Sequence, residues 1–180
     1  MEDAFLAVTG VRTEADALRE ARNSALQQRR NKVYCRKSVA ERDVFRAELE
    51  RFMRSESTRY TTPAPTSDSE HCAAIRRISD GLSAKFGGIL EGGRFRYGTA
   101  QKALNLYLKF LWRLGLLGAA NPPHCPVDST VLRAAGLSGS WTASDSEEEY
   151  IGWINLIRRV ASPNSLADWE YGIWQSAAKR

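Results

Sequence analysis

The sequence predicts an all-α fold, on three observations. Helix-start signals recur along its 180 residues. The apolar residues that follow them return every three or four positions, the period of one buried helical face. No run of alternating apolar and polar residues reads as a strand, and no internal repeat is present.

The elements follow in chain order. Thr13 caps a helix through EADALREARNSALQQRRN (14–31). Ser38 with Glu41 makes a capping-box pattern ahead of VAERDVFRAELERFMRS (39–55), and Ser67 with Glu70 repeats it ahead of HCAAIRRISDGLSAKF (71–86). The Pro/Thr/Ser-rich stretch at 57–67 between them is the expected subdomain boundary or mobile segment. A glycine-rich bend, FGGILEGGRFRYG (86–98), leads into a helix from about Thr99 to Leu114 that Gly115 ends. Pro122, Pro123 and Pro126 stiffen the next loop, and Asp128 then opens a short helix that stops near Gly136. Glu147, Glu148 and Glu149 favour the start of a helix carrying YIGWINLIRRVA, and a last helix, SLADWEYGIWQSAAK (165–179), follows Pro163.

Composition narrows the classes. A hydrophobic fraction of 43% and a charged fraction of 26% are ordinary for a soluble globular protein, and the net charge of +5 leans mildly toward polyanionic partners. Cys35, Cys72 and Cys125 are odd in number and lack CxxC spacing, so they read as reduced thiols and not as a disulfide framework. The opening MEDAFLAVTG has too short an apolar run for a signal peptide. The longest apolar stretch, 104–120, is broken by Lys109 and Arg113, so no membrane span is expected and the cytoplasm is the expected compartment. The dipeptides His71-Cys72 and His124-Cys125 lack zinc spacing; neither a metal nor a cofactor is expected.

The segment TAQKALNLYLKFLWRLG carries the chemistry. Ala100, Ala103, Leu104, Tyr107, Leu108, Leu111 and Leu114 form its core-facing stripe, while Lys102, Asn105, Lys109 and Arg113 lie along another face. Spacing alone reads that face as a solvated polar edge. Its apolar rim of Leu106, Phe110 and Trp112 leaves a second reading open: a lysine whose amine is a nucleophile because burial or a neighbouring cation lowers its pKa.

A glycine-containing bend, a lysine early in a helix, and a Pro126-Val127-Asp128 loop opening a short helix form the order found in helix-hairpin-helix DNA glycosylases. CPVDSTVLRAAGL resembles the segment that carries their catalytic aspartate, and the likeness is closest to the archaeal 8-oxoguanine DNA glycosylases. In that family a catalytic lysine is followed seven residues later by a second lysine at the base pocket, the spacing of Lys102 and Lys109. An acidic residue four positions before a pocket tryptophan has its match in Glu170 and Trp174. The likeness spans roughly residues 93–175; Gly98 lies four residues before Lys102, where the superfamily hairpin leaves two.

The resemblance implies two helical subdomains with a cleft between them, within one glycosylase-like domain over 1–180. It implies excision of 8-oxoguanine or another modified base from DNA, in base-excision repair or in defence against phage with modified DNA. Asp128 would stabilise the oxocarbenium-like sugar, and Lys102 would attack C1′ and form the Schiff base of a lyase reaction. Lys109, Glu170, Trp174 and Trp112 would hold the flipped base. Arg94, Arg96 and Gly98 at the bend, with Arg29, Arg30 and Lys32, are the expected DNA contacts. DNA is the expected partner of a monomer. The competing class is a non-catalytic helical module that binds nucleic acid or protein, with Lys102 a surface lysine and Asp128 only a cap.

Overall fold

The computed structural model describes residues 3–27, 32–35, 38–118 and 121–178; Arg29 and Arg30, like Arg36 and Lys37, lie outside these. Within them the chain is all-helical: α1 (Ala4–Thr9), α2 (Glu14–Leu26), α3 (Val39–Ser57), α4 (Asp68–Phe86), α5 (Tyr97–Arg113), α6 (Ser129–Ala134), α7 (Glu147–Ala161) and α8 (Leu166–Ala178). The nearest approach to a sheet among the described residues is one antiparallel bridge, Tyr34 with Leu90. No helix among them is long and apolar enough to cross a membrane.

Local chemistry sets the helix ends. The Thr13 hydroxyl accepts from the Asp16 N–H, and the Asp16 carboxylate accepts from the Thr13 N–H; Ser67 and Glu70 exchange the same two bonds. Ser38 accepts from the Glu41 N–H alone, at 3.4 Å, so only half of the expected box forms there. Each cap contributes about 1 kcal/mol. Gly10, Gly115 and Gly136 take left-handed φ values of 69°, 73° and 70°, the conformation that stops α1, α5 and α6. Helix α1 is an addition to the expected elements. Asp3 caps it, accepting from the Phe5 and Leu6 N–H groups, and Phe5 is its buried residue.

Helix α5 is the axis of the molecule, and here the structure corrects the expectation of a solvated edge. Every residue from Tyr97 to Leu111 is buried, Lys102, Asn105 and Lys109 included. Helices α2, α3 and α4 pack against it, α2 most extensively. The buried side of α2 is Ala17, Leu18, Ala21 and Ala25, small enough for the two axes to lie close. The loop before α6 takes the face that would otherwise meet water.

That face is satisfied by a chain of hydrogen bonds that runs from buried Tyr60 out to the half-exposed Asp68 carboxylate. Tyr60 Oη lies 2.7 Å from His71 Nδ1, and His71 Nε2 lies 2.7 Å from Asn105 Oδ1. Asn105 Nδ2 reaches Tyr150 Oη at 2.9 Å, Tyr150 Oη lies 2.8 Å from His124 Nδ1, and His124 Nε2 lies 2.9 Å from Asp68 Oδ1. Asn105 Nδ2 also faces Gln101 Oε1 and the Cys125 carbonyl, which only accept, so Oδ1 must receive the His71 Nε2–H. Burial favours the neutral form of both rings, and with neutral rings the remaining hydrogens run in one direction: Tyr60 and Tyr150 donate to the histidine Nδ1 atoms, and His124 donates to Asp68.

Burial pushes both histidines below their ordinary pKa, and His124 lowers His71 further. Unfolded, each takes a proton near pH 6.5; folded, each resists it, so below that pH the unfolded state binds more protons. Stability should fall as pH drops from about 7 to 5, by at most about 1.4 kcal/mol per pH unit for each histidine. Urea midpoints measured across that range check this; a flat profile would contradict it.

Candidate active site

Lys102 and Lys109 share one face of α5, two turns and roughly 10 Å apart along its axis. Lys102 Nζ donates to Asp128 Oδ2 at 2.5 Å. The other oxygen, Oδ1, accepts from the Thr130 and Val131 N–H groups at 2.9 and 3.0 Å, making Asp128 the N-cap of α6. One carboxylate thus does both jobs, an oxygen for each. Burial pushes its pKa up, but Lys102 and the two amides outweigh that and hold the carboxyl below its ordinary value. The Asp128 side chain keeps 27% of its surface open and that of Lys102 10%, so the pair lies at the edge of the core.

Two turns on, Lys109 Nζ is deeper, its side chain 4% exposed. It donates to Glu170 Oε1 at 2.9 Å and lies 2.7 Å from Oε2. Burial lowers the Lys109 pKa, Glu170 pulls it back, and the charge of Lys102 adds to the lowering. Aromatic rings surround this amine: Phe5 at 4.2 Å, Tyr171 at 5.7 Å and Trp174 at 5.9 Å from Nζ to ring centroid. Lys109, Glu170 and Trp174 are thus brought together. Trp112 lies at the edge, its ring against Tyr171 and beneath the Arg113 guanidinium.

The ring nearest the Lys109 amine belongs to α1. Phe5 stacks on Phe110 at 4.8 Å and meets Trp174 edge-on at 5.0 Å, itself only 3% exposed. Asp3 anchors the helix through Arg113, and the Tyr171 hydroxyl lies 3.5 Å from both Asp3 oxygens.

At the bend, the expected DNA contacts separate. Gly98 is buried; its N–H donates to the Ser144 carbonyl at 3.0 Å, and a Cβ there would lie 1.8 Å from the Trp141 carbonyl oxygen. It is a close-packing glycine whose amide is occupied inside the protein, which corrects its expected place as a backbone contact to DNA. Arg94 donates to Asp80 at 2.6 Å and to Asp145 at 2.8 Å, so its charge is already paired. Arg96 is half-buried and reaches the Lys32 carbonyl at 3.4 Å, which brings exposed Lys32 beside the bend. An open groove of about 820 Å³ lies between α6 and α8, lined by Thr130, Arg133, Asp168, Trp169 and Ile173 among others; neither Asp128 nor Lys102 lines it.

Gln101, Tyr150 and Phe5 carry no local sequence signal of these contacts, since their partners lie 26, 45 and more residues away. Among the described residues, no group of three or more His, Cys, Asp or Glu could hold a metal ion. No protein-family model, curated protein or solved structure matches the chain.

The deep pair makes a stability prediction. Lys109→Ala leaves the Glu170 carboxylate buried without its counter-charge and should cost about 3–5 kcal/mol. Lys109→Met combined with Glu170→Leu removes both charges and should recover most of that loss. Chemical denaturation of the single and double variants gives the comparison.

Proposed function

We propose that the chain is a helix-hairpin-helix-type DNA glycosylase, built as two helical subdomains that meet near 57–67 and flank a DNA-binding cleft. The observation that carries this is the 2.5 Å contact between Lys102 Nζ and Asp128 Oδ2, which joins an amine and a capping carboxylate from segments 26 residues apart. Breaking an N-glycosidic bond sends the bonding pair to the departing base and leaves positive charge on the sugar. Asp128, anionic and aimed by its N-cap bonds, stabilises that charge. Lys102 gives its ammonium proton to the departing base, and its free amine then bonds to C1′. A proton from that nitrogen goes to the ring oxygen as the C1′–O bond breaks, giving a Schiff base from which β-elimination cuts the strand. Lys109, Glu170 and Trp174 supply a cation, an acceptor and a stacking face for the flipped base, and Trp112 flanks them. Arg96 and Lys32 are the phosphate contacts this reading favours at the bend. The substrate is 8-oxoguanine or another modified base, and the setting is repair or defence against phage DNA.

The alternative, a non-catalytic helical binding module, draws on Phe5. With that ring on Lys109, a base reaches the amine only after α1 gives way.

The test is excision on duplexes containing 8-oxoguanine, an abasic site and a panel of naturally modified bases, with borohydride added to trap a Schiff base. Released base and a covalent adduct are expected. Asp128→Asn should slow excision about 10²–10³-fold, and Lys102→Gln should abolish the adduct. Neither product nor adduct on any DNA of the panel would overturn the glycosylase reading in favour of the binding module.

A further inference from the structure

The residues either side of the Lys102–Asp128 pair are themselves joined. Gln101 Nε2 donates to the Val127 carbonyl at 2.7 Å, and the Val127 N–H donates back to Gln101 Oε1 at 3.1 Å. Both residues are fully buried. A side-chain amide here pairs with both backbone groups of one residue, as a neighbouring strand would, at the residues that immediately precede Lys102 and Asp128. The orientation of that amide is fixed from behind, because Asn105 Nδ2 donates to Gln101 Oε1 and to the Cys125 carbonyl, each at 3.1 Å. Asn105 is oriented in turn by the His71 Nε2–H, at 2.7 Å. Three backbone groups of the loop 125–127 therefore hang on two α5 side chains one turn apart. Pro126 restricts the loop between them.

We infer that Gln101 is a positioning residue: its two-point clasp on Val127 sets the register of the loop against α5 and so places the Asp128 carboxylate on the Lys102 amine. An apolar residue of the same length would fill the space and leave the loop free to slide along the helix. Near a reacting centre, displacement by about 1 Å is enough to lower a rate about 10²-fold. The kinetic consequence rests on the glycosylase reading; the placement of Asp128 does not.

The test uses the full chain with Gln101→Met, which keeps length and packing and removes both hydrogen bonds. Two readouts go beyond folding. The first is the titration of the Asp128 carboxyl by carbon-13 NMR, expected to move up toward an ordinary aspartate as Lys102 is lost from its side. The second is single-turnover excision per folded molecule, expected to fall about 30- to 100-fold while DNA affinity stays within about two-fold. Gln101→Glu, which when protonated can still clasp both Val127 groups, should retain more of the rate, and it carries the test where the Met variant does not fold. An unchanged Asp128 titration in a folded variant overturns the inference. So does a rate that falls only in proportion to the folded fraction. If the wild-type chain excises nothing, the glycosylase reading fails separately, and the titration alone decides whether Gln101 positions Asp128.

Discussion

The structure depends on the burial of one helix that is not wholly apolar. Helix α5 passes through the core with Gln101, Lys102, Asn105 and Lys109 on it, and each of these would be strongly unfavourable there without a partner. The rest of the molecule can be read as the set of partners. Glu170 on α8 answers Lys109, Asp128 at the start of α6 answers Lys102, and the loop between α5 and α6 answers the two amides through its backbone. Histidines from α4 and the loop before α6, with a tyrosine from α7, close the chain behind Asn105. Polar groups on a single helix thereby fix where helices α4, α6, α7 and α8 and the loop before α6 dock.

How much of this was legible in the sequence depended on how far apart the partners lie. Thr13, Ser67, Asp128 and the glycines that stop helices act within four residues, so their signals were local and the helices were found from them. Helix α1 escaped because six residues without a full apolar period look like a tail. The polar face of α5 resembled a solvated edge because periodicity reports which residues share a face and not what covers it. What covers it is a loop with no period at all. Gln101 was invisible for the same reason: its partner is a backbone, and a backbone has no sequence.

The candidate site shows the same division. Lys102 with Asp128, and Lys109 with Glu170 and Trp174, were paired through a family resemblance, and the fold brings each set into contact. The phosphate contacts fared differently, because arginines and glycines are used for packing as readily as for anions. Arg94 is neutralised by two aspartates, and Gly98 is present because a carbonyl leaves no room for a Cβ. Charge and flexibility count toward a binding surface only once internal partners have been subtracted.

Phe5 joins α1 to α8 in a further sense. Its neighbours Phe110, Tyr171 and Trp174 are made long after it, the last two within the final helix. During synthesis α1 therefore leaves the ribosome with an aromatic side chain for which no pocket yet exists, and it stays unsatisfied until α8 follows. Contacts of such sequence separation form late, because loop closure opposes them until the intervening chain is ordered. Helix α1 is thus among the last of these elements to settle, since its ring waits for partners on α5 and α8.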